Sequence, residues 1–390
     1  MISVNKALAI IKSHTTARLL EISSLKNVNG HVLGEDVFSE INLPPFRQSA
    51  MDGYAVSGSK SLSFKVIGEV QAGSNINITL KEGEAVRVFT GAPVPKGTTR
   101  VLMQEHVEEV NGVITYLKDS FGKNNVKETG EQIKKGSVAL SKGTLLNASA
   151  VAFLSGLGIK DVSVFKMPKV SILVSGNELQ APGEALENGK IYDSNSIMLK
   201  LLLQKIGVQN VEVVFVGDSK HEITTTVARL LEDSHFIIAS GGISVGEYDL
   251  IRHAFEANSV EEKFYKINQR PGKPIYFGKK DEVSVFGLPG NPAACFINFQ
   301  VYVLPALRRF IGIENTNGFK KATLLESISN PTGKSLFLRA KVTGNTIEIF
   351  KNQSSAMLQS LIDANALAYI PEDTAVCDKG KEILYLDILQ

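Results

Sequence analysis

The sequence has few cysteines, and its histidines are scattered. Only two of the 390 residues are cysteine, Cys295 and Cys377, so no disulfide framework beyond one bridge is possible, and a reducing cytosol is the expected compartment. The six histidines show neither HxxxH nor HExxH spacing. A histidine zinc site is therefore not predicted.

The sequence also lacks targeting signals, long apolar runs and an excess of charge. Its first residues, MISVNKALAIIKSH, have no basic start and no small-residue cleavage site, so we expect no signal peptide. No stretch reaches the roughly 18 apolar residues of a membrane helix. Lys and Arg number 42 against 40 Asp and Glu, a net charge of +2. No overall field favours nucleic acid or an anionic membrane, although local patches can still bind anions.

The composition is typical of a folded protein with several domains, because 43% of the residues are apolar and 21% are charged. At roughly 100–200 residues per domain, the length predicts two to four domains. Residues 3–13 indicate a helix capped by Ser3, and residues 30–43 are extended up to Pro44. Short β-rich runs between about 62 and 140 predict a small β domain, followed by a helix capped by Asn147 or Ser149.

From about 167 to 312, predicted strands and helices alternate. This order favours a doubly wound, mostly parallel sheet covered by helices on both faces. We expect Pro305 to kink the long helix that follows the last strand. After Gly312 the pattern is β-like again, which predicts a C-terminal β domain of about 75 residues.

Three loops of this α/β region carry unusual residues where predicted strands end. In open α/β sheets, ligands bind at the carboxyl ends of the strands. Free backbone N–H groups in such loops bind phosphate or another oxyanion, and neither a Walker A nor a GxGxxG motif is present. One such loop alone is better explained as a tight strand–helix connection, but three on one edge predict a shared anion site. Its residues are Glu178, then Gly241, Gly242, Gly246 and Asp249, then Gly290 and Asn291 before Pro292.

A basic cluster, Lys266, Arg270 and Lys273, lies in the segment YKINQRPGKP. On one strand, residues four apart share a face, so Lys266 and Arg270 would point the same way. The prolines Pro271 and Pro274 stiffen the loop. The cluster is either a solvated charged loop or, beside three anion-binding loops, a phosphate-binding group, which we favour.

Four carboxylates, Asp52, Glu178, Asp218 and Asp249, stand at loop or strand ends. Carboxylates that face a phosphate commonly hold Mg²⁺. Two open alternatives remain. Asp218 can equally cap the helix that follows it, and the Gly-Ala-Pro turn after Thr90 is enough to explain that threonine as a structural residue.

Seven ordered segments together resemble one family, the molybdopterin molybdenumtransferases, which include the bacterial MoeA proteins and the E domain of gephyrin. The resemblance spans about residues 1 to 390 and is looser over the last 75. The segments are PPFRQSAMDGYA, FTGAPVPKGTTRVLMQEH, SGNELQAPGE, IYDSNS, SGGISVGEYD, RPGKPIYFG and GLPGNPAA.

The resemblance implies the final step of molybdenum cofactor biosynthesis. Adenylated molybdopterin and molybdate bind with Mg²⁺ or a similar divalent cation, the metal is transferred to the dithiolene sulfurs, and AMP leaves. It also implies a homodimer with a cleft between the α/β domain and the partner subunit, and contacts with the molybdopterin adenylyltransferase and acceptor molybdoenzymes. Four parts are implied: 1–50 with 140–166, an inserted β domain 51–139, a MogA/MoaB-like α/β domain 167–314, and a C-terminal β domain 315–390.

The resemblance also implies roles for individual residues. It makes Asp52, Glu178, Asp218 and Asp249 catalytic, and assigns the cation to Asp52, Glu178 and Asp249. The implied substrate-binding residues are Thr90, Lys266, Arg270, Lys273, Gly241, Gly242, Gly290, Asn291, Arg339 and Ser355. One position departs from the family pattern. Gln132 stands where an acidic residue is usual, and a neutral amide supplies no charge to a cation.

Two other functions are weighed beside the enzyme. A binding or scaffold protein would keep the fold without turnover, and only Gln132 favours it. An adenylyltransferase, or an enzyme of nicotinamide nucleotide salvage, would use a similar α/β domain. The flanking β domains and the SAMDGYA segment favour the molybdenumtransferase.

Overall fold

The computed structural model describes residues 1–16, 19–58, 61–118, 122–242, 250–313 and 318–389. It contains two compact units, one of residues 1–23, 28–34 and 163–390 and one of residues 24–27 and 35–162. None of the helices in the described ranges is long and apolar enough to cross a membrane. These helices are Val4–His14, Ala148–Gly156, Asn195–Lys205, Lys220–Asp233, Leu250–Ala257, Pro292–Asn298, Leu304–Phe310 and Gln359–Ile362.

The first unit is built on a six-stranded sheet, and its first four strands in space are parallel. This confirms the predicted mostly parallel α/β fold. Alternate residues of the central strand pack on opposite faces, with Ile172 in one hydrophobic cluster and Leu173 in another, so helices cover both faces. The strands in spatial order are Val211–Val216, Val170–Ser175, Phe236–Ser240, Val283–Leu288, Tyr276–Lys280 and Glu261–Tyr265.

The first helix of this unit begins as predicted. Ser3 Oγ accepts a hydrogen bond from the Lys6 N–H at 3.3 Å. The apolar face of the helix, including Val4, Ala7 and Ile11, is buried in the core of the α/β sheet. The N-terminal helix therefore contributes to the same core as the sheet.

The last long helix is irregular in its middle, and the predicted kink at Pro305 stays a prediction. Two α-helices, Pro292–Asn298 and Leu304–Phe310, are joined by a π-helical segment, Phe299–Val303. Pro305 lies in the first turn of the second helix. Since proline has no N–H to donate to the carbonyl four residues earlier, the regular hydrogen-bond pattern is interrupted at this point.

The predicted C-terminal β domain forms a barrel-like sheet with its own apolar cluster. Strand Ala366–Ile370 pairs with both Glu382–Asp387 and Ser335–Thr343, which closes the sheet. The other strands are Gln269–Arg270, Thr346–Ile349 and Phe319–Leu324.

The second unit contains the predicted small β domain and a helix, Ala148–Gly156, capped by Asn147. Its six-stranded sheet packs apolar side chains on both faces. The strands in spatial order are Arg100–Met103, Gly53–Val56, Glu84–Val88, Ser63–Val70, Val113–Tyr116 and Val107–Val110. Further short strands of the chain are Leu20–Ser24, Val37–Phe38, Gln48–Ser49, Val126–Lys127, Val138–Leu140, Asp161–Phe165, Leu179–Gln180, Ile191–Tyr192, Ile328–Ser329 and Val376–Cys377. The four-part division of the chain stays a prediction.

Candidate functional site

A cavity of about 610 Å³ opens at the carboxyl ends of the parallel strands in the first unit. Its wall includes residues of all three loops singled out in the sequence, namely Glu178, Gly241, Gly242, Gly290 and Asn291. The parallel topology brings these loops to one edge. Gly246 and Asp249 of the second loop lie outside the described residues.

Two glycines of this wall occupy positions that exclude a side chain. Gly241 and Gly242 have φ angles of +89° and +62°. A Cβ atom on Gly241 would lie 2.4 Å from the Ser175 carbonyl oxygen, and one on Gly242 would lie 2.7 Å from the Ile251 side chain. Glycine is required here because the loop backbone passes directly over the end of the neighbouring strand.

Asp218 positions the loop that carries Glu178. Its Oδ2 accepts the Asn177 N–H at 3.0 Å, and its own N–H donates to Asn177 Oδ1 at 3.2 Å. The helix after it, Lys220–Asp233, is capped by Ser219, whose Oγ accepts the Glu222 N–H at 3.3 Å. The alternative that Asp218 caps this helix is therefore wrong.

The polar residues of the cavity wall that were not predicted from the sequence include Ser175, Asp193, Asn195 and Ser240. The carboxylate of Asp193 accepts hydrogen bonds from the N–H and the hydroxyl of Ser196. The signal was present in IYDSNS, where a short strand at this edge is followed by a helix start. The motif contributed to the resemblance without any residue being assigned to the site.

The basic cluster has a different geometry from the one expected. The strand Glu261–Tyr265 ends before Lys266, which has a φ of +68°, and Arg270 belongs to a strand of the C-terminal barrel. The expectation that one strand aligns Lys266 with Arg270 is wrong, because the chain turns between them. Lys266 Nζ lies 4.6 Å from the ring centroid of Tyr265. Arg270 and Lys273 are exposed, and Pro274, next to Lys273, lines the cavity.

Arg339 lies fully buried in the barrel, with no exposed surface. Its guanidinium donates to the carbonyls of Asn352, Ser354 and Met357 at 3.1, 3.0 and 3.3 Å. Burial lowers the pKa of this guanidinium. The structure thus places Arg339 as the residue that positions the 352–357 loop.

That loop reaches the cavity. Ser355 Oγ lies 3.4 Å from Asn291 Nδ2, and its carbonyl accepts the Ala293 N–H at 3.0 Å. The next residue, Ala356, lines the cavity. Two of the predicted substrate-binding residues, Ser355 and Asn291, therefore contact each other.

Asp52 and Thr90 are brought together in the second unit. Asp52 Oδ1 accepts the N–H of Thr90 at 2.7 Å and its hydroxyl at 2.8 Å. These two bonds, with a smaller contribution from Arg87, lower the pKa of Asp52. Gly53 is a strand residue, and a Cβ on it would lie 1.9 Å from the Leu102 carbonyl oxygen.

Three family models match successive parts of the chain. They are the MoeA N-terminal region (domain I and II) at residues 2–158, a probable molybdopterin binding domain at 171–309, and the MoeA C-terminal region (domain IV) at 321–388. The molybdopterin molybdenumtransferase of Staphylococcus aureus strain Mu50 is 32% identical over 379 residues, covering 93% of this chain and 89% of that protein. The chain belongs to the MoeA family.

A further relative and a solved structure agree with this assignment. A Staphylococcus epidermidis molybdopterin molybdenumtransferase is 32% identical over 387 residues, covering 96% of this chain and 92% of that protein. The crystal structure of the molybdopterin biosynthesis MoeA protein from Pyrococcus horikoshii OT3 matches with a TM-score of 0.82 at 30% identity, covering 99% of each chain.

Within this MoeA-family chain, the departure at Gln132 lies on the surface. Gln132 is exposed, and its N–H donates to the Leu43 carbonyl at 2.9 Å. The neighbouring Glu131 accepts the Glu128 N–H at 2.9 Å, so its carboxylate is engaged within its own loop. Among the described residues, no group of three or more His, Cys, Asp and Glu side chains is placed to hold a metal ion.

Proposed function

We propose that this chain is a molybdopterin molybdenumtransferase that inserts molybdate into adenylated molybdopterin and releases AMP, the final step of molybdenum cofactor biosynthesis. The observation that carries the proposal is the cavity at the carboxyl edge of the sheet, in the part of the chain that matches a molybdopterin binding domain. Glycine backbones at Gly241 and Gly242 allow a phosphorylated ligand close to the strand ends. A scaffold without turnover is not favoured.

The basic cluster supplies the positive charge that the cavity wall lacks. Arg270 and Lys273 are exposed, and Lys273 directly precedes Pro274, which lines the cavity. In the proposed complex, Lys266, Arg270 and Lys273 bind the phosphate groups by charge-assisted hydrogen bonds. Ser355 and Asn291, which lie side by side, add neutral polar contacts.

A divalent cation such as Mg²⁺ fits the donors present. Mg²⁺ prefers oxygen ligands and is usually held by one or two carboxylates together with substrate phosphates. Glu178 lines the cavity, so it would supply carboxylate oxygens, and Asp52 belongs to the same proposed set. When bound, the cation would offset the negative charge of the phosphates. Asp249 belongs to the same proposed set.

Asp52 is the proposed catalytic carboxylate of the second unit. The two bonds from Thr90 hold it ionised and fix its orientation. Its proposed job is to orient molybdate or the divalent cation during transfer. A homodimer, a cytoplasmic location, and contacts with the adenylyltransferase and acceptor molybdoenzymes are parts of the proposal that rest on the family alone.

AMP release tests the proposal. Purified protein supplied with adenylated molybdopterin, Mg²⁺ and molybdate should release AMP, and Asp52→Asn should slow the release by about 10²-fold. Asp161→Asn, at an exposed aspartate of the same unit, is the matched control and should release AMP normally. Absence of AMP release by the wild type, where a known family enzyme works, would contradict the transferase. Normal release by Asp52→Asn would contradict the role of Asp52.

A further inference from the structure

A buried network of three polar side chains, Gln269, Asn298 and Tyr302, contacts the turn that carries Arg270 and Lys273. The three side chains belong to residues that are 1%, 0% and 0% exposed. Gln269 Nε2 donates to Asn298 Oδ1 at 2.7 Å, and the Tyr302 hydroxyl donates to Gln269 Oε1. Burying polar groups has a cost that apolar residues in the same place would avoid, which points to a role for the buried network beyond packing.

The buried network bonds directly to the backbone of the turn. Gln269 Nε2 lies 3.0 Å from the Pro271 carbonyl oxygen and 3.2 Å from the Gly272 carbonyl oxygen. Asn298 Nδ2 donates to the Gly272 carbonyl at 3.1 Å. These two carbonyls belong to the residues between the two cations. Two side-chain amides therefore hold the middle of the turn.

The orientation of the Gln269 amide follows from its partners. A carbonyl oxygen only accepts hydrogen bonds, so the Gln269 atom beside the two turn carbonyls is the donor Nε2. Its Oε1 then faces the Tyr302 hydroxyl. Burial raises the pKa of Tyr302 well above the ordinary value of 10.0, so this hydroxyl keeps the proton that it donates. The Gln269 amide is thus fixed by bonds at both its nitrogen and its oxygen.

The turn fits closely against the buried network. Gly272 has a φ of +78°, and a Cβ atom on it would lie 2.5 Å from Asn298 Oδ1. Glycine is therefore required at this position. The Ile267 N–H donates to the Lys273 carbonyl at 3.1 Å, which closes the turn on itself. Both the backbone and the side chains beneath it restrict the turn to one geometry.

Two members of the buried network come from the irregular part of the last long helix. Asn298 is the final residue of the helix Pro292–Asn298, and Tyr302 lies in the π-helical segment Phe299–Val303. Such π-helical turns are rare and occur frequently at functional sites. Here the irregular segment presents a carboxamide and a hydroxyl to the same glutamine.

We propose that Gln269, Asn298 and Tyr302 are positioning residues, which hold the turn so that its two cations meet the phosphate groups of the substrate. A shift of the backbone between Arg270 and Lys273 would move both cations. Charge-assisted bonds to phosphate depend on distance and direction, so displaced cations bind phosphate more weakly. The inference rests on the proposed function, which gives the two cations their phosphate contacts, and it adds the residues that place them.

Pyrophosphate binding to the whole chain, measured by titration calorimetry, tests the proposal. Asn298→Ala removes the acceptor for Gln269 and the donor to the turn, and it should weaken pyrophosphate binding about three- to tenfold. Tyr302→Phe removes one hydroxyl and keeps the ring, so it should fold even if Asn298→Ala does not, and it should weaken binding about threefold. Unchanged pyrophosphate affinity in Tyr302→Phe, or in a folded Asn298→Ala, would overturn the proposal.

Ser171→Ala is the matched control for a loss of stability. The Ser171 hydroxyl is buried in the same unit and lies 2.7 Å from Ser234 Oγ. Ser171→Ala and Tyr302→Phe each remove one buried hydroxyl, so both should lower the urea concentration at the midpoint of unfolding. Only Tyr302→Phe should weaken pyrophosphate binding. Equal losses of pyrophosphate affinity in the two variants would assign the effect to general destabilisation and overturn the proposal.

A double-mutant cycle distinguishes positioning from a purely structural role. If the buried network acts through the cations, the loss of pyrophosphate affinity caused by Tyr302→Phe should be smaller in an Arg270→Met background, where one of the positioned cations is already absent. An equal fold-loss in both backgrounds would show that the buried network does not act through Arg270, and would overturn the proposal.

AMP release separates this inference from the proposed function. Weaker pyrophosphate binding by Tyr302→Phe, without AMP release by the wild type, would leave the positioning role and remove the transferase. AMP release by the wild type, with unchanged pyrophosphate affinity in Tyr302→Phe, would remove the positioning role and leave the transferase. Absence of pyrophosphate binding by the wild type would overturn the phosphate contacts of the two cations, and this inference with them.

Discussion

The cavity wall of the first unit and the Asp52 corner of the second unit, defined by Asp52, Thr90 and Gly91, position polar groups differently. In the wall, Asn195 and Ser175 are buried and keep atoms without partners among the described residues. At the corner, Asp52 is partly exposed and receives two hydrogen bonds from Thr90. The wall thus keeps two buried polar atoms unpaired, whereas the corner has its carboxylate oriented by donors of the protein itself.

The difference extends to the backbone. The wall is packed so closely that Gly241 has no room for a methyl group, whereas a Cβ on Gly91, next to Thr90, would meet no described atom within 4 Å. Substitutions in the wall should therefore affect packing and binding together. Substitutions at the corner should change charge and orientation with smaller effects on stability.

The largest effect is expected for Gly241→Ala compared with Gly91→Ala. Both glycines have positive φ, +89° and +81°, so each alanine is strained by about 1–2 kcal/mol. Gly241→Ala also places a methyl 2.4 Å from the Ser175 carbonyl oxygen and should lose about 3 kcal/mol or more in total. Urea denaturation measures both variants. Equal losses of unfolding free energy in the two variants would show that the structure around Gly241 adjusts to a methyl group as easily as the structure around Gly91.

The next-largest effect separates Arg339 from Arg270, which the family resemblance places together among the substrate-binding residues. Arg339→Met removes a fully buried donor that holds three loop carbonyls, and it should lower the free energy of unfolding by about 2–4 kcal/mol. Arg270→Met, at an exposed site, should change it by less than about 0.5 kcal/mol. Urea denaturation of the two variants measures the difference.

The affinity for phosphate should respond in the reverse order: Arg270→Met should weaken phosphate binding more than Arg339→Met does. Pyrophosphate, used as a simple phosphate probe, should bind more weakly to Arg270→Met, because the lost charge is one that contacts phosphate in the proposed complex. A stability loss at Arg270 with none at Arg339 would reverse the assignment of the structural and binding roles.

These arginines show where sequence reasoning reaches its limit. The parallel sheet was predictable because its strands are continuous apolar runs, and the meeting of three loops follows from the topology. Which carbonyls surround Arg339 depends on a loop 13 to 18 residues away, and no local pattern specifies that contact. Likewise, nothing in YKINQRPGKP predicts the left-handed backbone conformation of Lys266. The strand predicted from the sequence therefore continues too far along the chain.

A smaller effect is expected at the Asp52 corner from Thr90→Val. This change removes the hydroxyl donor but keeps the backbone N–H bond, so the pKa of Asp52 should rise toward its ordinary value of 3.8. A carboxyl with a depressed pKa stabilises the fold above the unfolded pKa, and this contribution is lost as the pH falls through the folded value. Carbon-13 NMR titration of the Asp52 carboxyl measures the shift. An unchanged pKa would mean that the backbone bond alone orients the carboxylate.

The smallest effect is expected for Gln132→Glu, which restores the usual acidic residue. Gln132 is exposed, so stability should change by less than about 0.5 kcal/mol. If this position contributes to cation handling, the added charge should lower the Mg²⁺ concentration that gives half-maximal AMP release. Gln209→Glu, at an exposed glutamine of the other unit, is the control for added charge alone. An unchanged Mg²⁺ requirement in Gln132→Glu would show that this chain gains nothing from a carboxylate there, and would leave the Asp52 corner oriented by Thr90 without help from this loop.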